Sequence, residues 1–370
     1  MSQLIRESKK WKNLNVPLAK DFPENEIINK NPIESKISDV IIKYNNFDQD
    51  ELLDFIRNHN ITASGNTNFL PKELFKNIKN SCFATFAIDN KLISFGLSTI
   101  VPIKVKEDHK IDFVHKDFAH LNSNNTILFG YTNYLCTHKD FRSTGKGIGT
   151  VEAILNYGIS RGVICGYFIS PSPRTANYIE LNNWMRPLNF TAAKKIGFTF
   201  KSFRMPKDKS ELRNELYYKI NLPTEFVQKD AHLGHLNDYI RLIKDTTFAF
   251  YPNKSAWEQW LNVFKTYVIY ENNKVISVGS LLITETFMSK TKKVAKIANI
   301  VFIVGDPVIL NFLFNVANDL GAHIVLGYQI GDLDDETLES LKCSSGGKMY
   351  LEFYNTSLKH KVENICVPIF

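Results

Sequence analysis

Three features of this sequence predict an α/β (α+β) fold built from two similar units, each a mixed twisted sheet flanked by helices, fused into one pseudo-symmetric body. The first is the stretch 131–159, YTNYLCTHKDFRSTGKGIGTVEAILNYGI. An apolar run through Tyr134, Leu135 and Cys136 ends at Thr137-His138, a polar glycine-containing loop follows, and apolar residues then recur at Val151, Ile154, Leu155 and Ile159 with helical spacing. The second is a repeat: 267–280 (YVIYENNKVISVGS) echoes 87–97 (AIDNKLISFGL). The third is another echo, of 163–169 (VICGYFI) in 324–330 (IVLGYQI). Strands and helices that alternate, and alternate twice, describe a duplicated layered unit.

In chain order, residues 1–37 are polar, with Trp11 the conspicuous apolar residue, and read as an arm lying on the body. Residues 40–44 form a strand, and 50–56 open a helix behind an acidic cap. Pro71 starts a short helix through Leu74, Phe75 and Ile78. Residues 82–88 and 91–100 make a hairpin that turns at Asp89-Asn90. Strand 163–169 is buried, and the helix over 192–196 stops at Gly197. The units divide near Leu222-Pro223, giving an arm (1–37), a first unit (38–222) and a second (223–370). The tail 365–370 (ICVPIF) is apolar and reads as a buried strand that carries its own end inward, whereas most chain ends fray at the surface.

Composition narrows the function. A chain of 370 residues, 44% hydrophobic, can bury a sizeable core. Its 45 Lys+Arg against 38 Asp+Glu leave +7 spread along the sequence, which argues against a dedicated nucleic-acid binder and suits a small anionic ligand equally well. No apolar run reaches spanning length and the first residues, MSQLIRESKKWK, are polar, so a cytoplasmic protein without membrane insertion is expected. Five scattered cysteines fit buried thiols rather than a disulfide framework.

Within the central loop, Arg142-Ser143-Thr144-Gly145-Lys146-Gly147 has the form R-x-x-G-x-G. Its glycines let main-chain N–H groups turn toward a ligand, and the following helix N-terminus favours anions: together, a seat for a diphosphate. The second unit has Val304-Gly305-Asp306-Pro307 in the corresponding place, where proline lacks the N–H such a cradle uses. Only the first unit is expected to hold a nucleotide.

The same loop resembles that of acyl-CoA-dependent N-acyltransferases of the GNAT fold. Asn133-Tyr134-Leu135-Cys136-Thr137-His138-Lys139-Asp140-Phe141-Arg142-Ser143 is similar to the N-F-L-C-V-H-K-K-L-R-S signature of protein N-myristoyltransferases. Lys10-Trp11 through Val16-Pro17 resembles the family's early F-W-x-T-Q-P-V, Trp184-Met185-Arg186-Pro187-Leu188-Asn189 its Y-W-H-R-S-L-N, and Lys342 with Gly346 a remnant of K-F-G-x-G-D-G. The resemblance implies a tandem GNAT fold. It also implies acyl-CoA contacts from Lys9, Lys10, Trp11, Tyr134, Leu135, Cys136, Thr137, Arg142, Ser143, Thr144, Gly145, Lys146 and Gly147, and peptide contacts from Ile169, Ser170, Met185 and Asn189. Departures accompany it: 59–66 (HNITASGN) has no carboxylate where the family has an acidic cluster, Met185 replaces a histidine, and Ile169 replaces a threonine whose place the adjacent Ser170 can take.

The implied reaction moves a myristoyl group from myristoyl-CoA, a co-substrate rather than a resident cofactor, to the N-terminal glycine amine of a protein, in a monomeric enzyme. Such an amine has a pKa of about 7.7 to 8.0, so a base must take a proton before it attacks the thioester. No side chain is an obvious base, and the family's use of the C-terminal carboxylate assigns the role to the main chain of Phe370. The family's oxyanion donors fall on the backbone amides of Tyr134 and Leu135, an interaction worth roughly 2.7 to 4 kcal/mol when one is removed. An acyltransferase of altered acyl or acceptor specificity, and a non-catalytic acyl-CoA-binding protein, are the alternatives. Cys136 with His138 reads as strand residues rather than a nucleophile pair. His109, His115, His120, His232 and His235 read as solvated or locally bonded, with no metal site. Lys290, Lys292, Lys293 and Lys296 read as a solvated hairpin flank.

Overall fold

The computed structural model describes residues 41–370 apart from 63, 106–125, 164, 175–177, 201–206, 332 and 355–364. In the first half, β1 (Ile41–Tyr44) and α1 (Gln49–His59) precede β2 (Thr67–Asn68), a 3-10 helix (Lys72–Asn80), β3 (Ser81–Ile88), β4 (Lys91–Val105) and β5 (Thr126–Thr137). Then come α2 (Lys146–Ser160), β6 (Cys165–Ser170), β7 (Tyr178–Pro187), α3 (Phe190–Lys195) and α4 (Lys207–Tyr217). The second half holds β8 (Val227–Asp230), α5 (Leu236–Leu242), β9 (Phe248–Phe250), α6 (Lys254–Val263), β10 (Lys265–Glu271), β11 (Lys274–Met288) and β12 (Lys293–Gly305). It closes with α7 (Ile309–Asp319), β13 (Ile324–Tyr328), α8 (Asp335–Ser340), β14 (Ser344–Tyr354) and β15 (Ile365–Cys366).

One mixed sheet carries the strands in the order β1-β3-β4-β5-β6-β14-β7-β13-β12-β11-β10-β8. Read from either edge the order is the same: β1, β3, β4, β5, β6 correspond to β8, β10, β11, β12, β13. The duplication expected from the echoes is therefore the symmetry of the sheet. At its centre each half passes a strand to the other, so that β14 lies between β6 and β7, antiparallel to both. Matching turns hold matching hairpins. Asp89 and Asn90 (φ 47° and 61°) join β3 to β4, and Asn272 and Asn273 (φ 47° and 63°) join β10 to β11, the left-handed pair that a tight hairpin with right-handed strand twist requires.

Helix ends follow local chemistry. The Asp48 side chain caps α1 by accepting from the Glu51 amide at 2.9 Å, and Gly197 (φ 105°) stops the chain after α3. The short helix expected after Pro71 is of the 3-10 type, and α2 begins at Lys146, before the first apolar-periodic residue, because Gly147 and Gly149 hide its first turn from a hydrophobicity pattern. The arm, with Lys9, Lys10 and Trp11, and the histidines at 109, 115 and 120 lie outside the described residues. Among those described, no helix is long and apolar enough to cross a membrane.

The largest core cluster lies on one face of the sheet, where Leu52 and Ile56 of α1, Tyr239 of α5 and Trp257 and Trp260 of α6 meet Phe129, Tyr131, Phe248 and the tail residues Ile365, Val367 and Ile369. The other face of the first half is covered by α2, whose Ala153 and Ile154 pack on Cys82, Ala84, Phe86 and Ile93.

Candidate active site

β5 and β6 are parallel partners over three residue pairs only: Phe129 with Cys165, Gly130 with Gly166, and Tyr131 with Tyr167. Beyond these pairs β5 stays on β4 and β6 stays on β14, so the two strands part. The glycines fix the point of parting. A Cβ on Gly166 would stand 3.0 Å from the Gly130 carbonyl oxygen, and one on Gly130 would stand 2.6 Å from Ser98 Oγ. The gap is a cavity of about 270 Å³, walled by Asn133, Tyr134 and Leu135 of β5, Phe168, Ile169 and Ser170 of β6, and Val151, Ile154 and Leu155 of α2.

Opposite the cavity, β5 is irregular. Thr132 pairs with Ser98 and Tyr134 with Leu97, so Asn133 is an extra residue that bulges and re-aims the strand. Both polar atoms of the Asn133 side chain are buried without a hydrogen-bond partner. A buried amide left unpaired is destabilising by roughly 1 to 3 kcal/mol, and a ligand in the cavity would relieve it. The β5 edge past Tyr131 faces the gap with no β6 strand opposite, so main-chain groups there are available to a ligand.

The glycine loop closes the far end. His138 Nδ1 accepts from the Asp140 amide at 3.2 Å to start the 3-10 turn Lys139–Phe141; Ser143 (φ 67°) and Gly145 (φ 88°) then turn the chain into α2. Gly145 is the N-cap of α2, no side chain caps the helix, and a Cβ there would meet nothing within 4 Å. The mirror position contrasts with it. At Gly305 (φ 78°) a Cβ would stand 2.1 Å from the Ile276 carbonyl oxygen, so the second-half loop is filled by its own backbone. The open loop is held rigidly. Thr150 Oγ1 donates to Ser94 Oγ at 2.6 Å, Ser94 Oγ and Thr137 Oγ1 lie 3.1 Å apart, and a Cβ on Gly147 would press on Thr137 Oγ1 at 3.0 Å. Arg142 straps the loop to α1, donating from Nη2 to the His59 carbonyl at 2.6 Å and from Nε to the Thr137 carbonyl at 3.3 Å. His59 sits against His138 at 4.1 Å between ring centroids; burial first, then His138 and Arg142, hold it below the usual histidine range.

The tail arrives on the opposite face. β15 pairs with β9, the Ile369 amide donates to the Val301 carbonyl at 2.9 Å, and Tyr167 donates its hydroxyl to the Pro368 carbonyl at 3.0 Å. Tyr131 Oη donates to the Phe370 main-chain oxygen at 2.9 Å and accepts from the Phe370 amide at 3.1 Å. The Tyr131 and Tyr167 rings stack at 4.9 Å, and the Phe370 ring fits between Tyr131 and Phe264. Side chains alternate along a strand, so Gly130 and Thr132 face α2 while Tyr131 faces the tail. The gap between β5 and β6 thus joins a face that carries the open glycine loop to a face that carries the main chain of Phe370. Burial raises the Tyr131, Tyr134 and Tyr167 hydroxyls well above the usual tyrosine range and pushes Tyr328, beside Tyr131, up to about 12; all stay neutral donors.

The residues singled out in the sequence divide into three groups. Tyr134, Leu135, Ile169 and Ser170 line one cavity; Arg142, Ser143, Thr144, Gly145, Lys146 and Gly147 form the loop at the amino end of α2; Cys136 and Thr137 join the two. Ser170 Oγ donates to the buried Glu352 carboxylate, which also accepts the Arg174 amide at 2.7 Å, so its hydroxyl is already engaged. Met185 and Asn189 stand apart from this cavity: Met185 packs beside Leu326 in a separate cluster, and the Asn189 side chain caps α3 by accepting from the Ala192 amide at 2.8 Å. Cys136 is buried and its thiol is pushed up to about 12, too high for a thiolate nucleophile. Tyr131 and Tyr167, which hold the tail, gave no signal in the sequence, because a tyrosine in an apolar strand reads as core.

No family model matches the chain, and no curated protein matches it in sequence. Solved structures do resemble it. A Saccharomyces cerevisiae N-myristoyltransferase with bound myristoyl-CoA aligns with a TM-score of 0.71 at 13% identity, over 95% of this chain and 93% of that one. A second structure of the yeast enzyme with myristoyl-CoA gives 0.71 and 14%, over 94% and 88%. A third, with myristoyl-CoA and inhibitors, gives 0.72 and 14%, over 98% and 95%. The chain has the fold of those proteins along nearly its whole length, and the two fused units expected from the sequence are that fold.

Proposed function

We propose that this chain is an N-myristoyltransferase, moving a myristoyl group from myristoyl-CoA to the N-terminal glycine amine of a protein. The observation that carries the reading is the gap between β5 and β6, with an open glycine loop at one end and the Phe370 main chain at the parting of the strands. In this reading the first half (38–222) binds the co-substrate and the second (223–370) shapes the acceptor site. The diphosphate sits on the amides of 143–147, and the acyl chain lies along the apolar wall of α2. A long chain buried at about 0.8 kcal/mol per methylene contributes on the order of 10 kcal/mol to binding.

The thioester carbonyl then reaches the Tyr134 and Leu135 amides, which stabilise the oxyanion when the amine attacks. In this reading a Phe370 main-chain carboxylate, held in place by Tyr131, takes the amine proton. A carboxylate in this apolar setting is sustained by its hydrogen bonds and by the arriving ammonium. Collapse of the tetrahedral intermediate breaks the carbon–sulfur bond and expels coenzyme A as its thiolate, which takes the second proton from the nitrogen and leaves the neutral amide and the free thiol.

The departures at Met185 and Ile169, and 59–66 without a carboxylate, favour a second reading within the same chemistry, an enzyme of altered acyl or acceptor preference. Incubation with myristoyl-CoA, acetyl-CoA and short N-terminal glycine peptides, followed by mass measurement of the peptides, separates the two. Myristoylated peptide supports the first reading; acetyl transfer without myristoyl transfer supports the second; tight acyl-CoA binding with no transfer contradicts both and leaves a binding protein.

A further inference from the structure

The turn between β11 and β12 reaches across to the end of α3. Thr291 Oγ1 donates to the Ile196 carbonyl at 3.1 Å, and a Cβ on Gly197 would lie 3.4 Å from Thr291 Cγ2. This contact gathers lysines from two distant stretches, Lys194 and Lys195 on α3 with Lys290, Lys292 and Lys293 at the turn, and all five are exposed. Neither 190–200 nor 286–296 contains an aspartate or glutamate. Among the described residues, the ion pairs are made elsewhere. Val294, next to Lys293 at the start of β12, is 44% exposed.

We propose that this hairpin turn docks the protein on an anionic membrane surface. The composition of the patch selects that partner over nucleic acid. It holds lysines only, compact charges without the planar fork of arginine. Its described aromatic neighbours, Phe198 against the core cluster of α3 and Phe287 in β11 opposite Val294, are both half-buried and offer no open face like that of an exposed stacking platform. Val294 supplies the apolar contact that a headgroup layer accepts and an RNA backbone does not. Each lysine close to an anionic leaflet is worth about 1 kcal/mol, about fivefold in partitioning, and the attraction fades within a Debye length as salt rises.

Flotation of the full chain with phosphatidylcholine vesicles, with and without phosphatidylserine, tests this. Expected is retention on the phosphatidylserine vesicles alone, lost at high salt. Partitioning should weaken about a hundredfold in Lys290→Gln/Lys292→Gln/Lys293→Gln and about twentyfold in Lys194→Gln/Lys195→Gln. The substituted side chains are exposed, so melting temperatures should match the parent and attribute the loss to the patch. Equal retention on both vesicle types, or unchanged partitioning of the triple variant, overturns the proposal. Tighter binding to polyuridylate than to phosphatidylserine vesicles, lost in the triple variant, overturns it in favour of RNA.

Discussion

The hydroxyl of Tyr131 satisfies both main-chain groups of Phe370, 239 positions away, donating to its oxygen and accepting from its amide. Tyr131 is also the last residue of β5 to have a β6 partner. The tail is therefore fastened where the strands part.

Replacing Tyr131 with Phe should remove both bonds and leave the Phe370 amide unpaired in an apolar setting. A loss of about 1–3 kcal/mol in unfolding free energy is expected from denaturant melts. In the proposed reaction kcat should fall more than KM changes, because the base is displaced rather than the acyl-CoA seat. An unchanged kcat would show that the tail has no part in turnover.

Gly166→Ala should drive a methyl into the Gly130 carbonyl and push β5 and β6 apart where they are paired, destabilising the chain by about 1–3 kcal/mol. Gly145→Ala differs in kind. It meets no atom but must hold φ 88°, a strain of about 1–2 kcal/mol. Its main effect should be on acyl-CoA affinity, measured by calorimetry, through the altered path of the loop amides.

Arg186 is 3% exposed and donates to three carbonyls, those of Leu341, Pro187 and Tyr218, with its guanidinium 5.0 Å from the centre of the Phe314 ring. Arg186→Met keeps the stem and strands those carbonyls, and a loss on the order of 3 kcal/mol is expected. Sequence reading placed this residue only within a motif of the acceptor side; the structure makes it a clamp between β7, α4 and α8.

His59 and His235 are both held below the ordinary histidine pKa, chiefly by burial and secondly by a neighbouring histidine, His138 and His232 respectively. His235 Nδ1 accepts from the His232 amide at 3.0 Å, a bond that protonation abolishes. Between the lowered folded value and about 6.5 the unfolded chain binds more protons, so stability should rise with pH through that window and fall on acidification below about pH 6.5. Melting temperatures of the parent and of His235→Asn between pH 7 and pH 5.5 check this: the variant should show a shallower slope.

What the sequence disclosed is what local chemistry encodes. Asp89-Asn90 announced a hairpin because a tight turn needs residues that tolerate positive φ, the echo in 267–280 carried the same turn into the second half, and the strand, glycine loop and helix around Gly145 were legible as such. The exchange of β14 into the first half, the pairing of β9 with β15, and the grip of Tyr131 on Phe370 join residues far apart in the chain and leave no periodicity to read. Helix α2 began earlier than its apolar pattern because the glycines that open the loop also begin the helix. Asn189 was legible only as part of a motif, although an asparagine three residues before an amide in need of a partner is also a helix cap, and its side chain caps α3.

The central claim is that the gap between β5 and β6 presents a bound thioester to the Phe370 carboxylate. Adding a short peptide after Phe370 and measuring, on the same preparation, myristoyl-CoA affinity and transfer to a glycine peptide tests it most directly. Predicted is loss of transfer with affinity retained; transfer at the rate of the parent chain would contradict it.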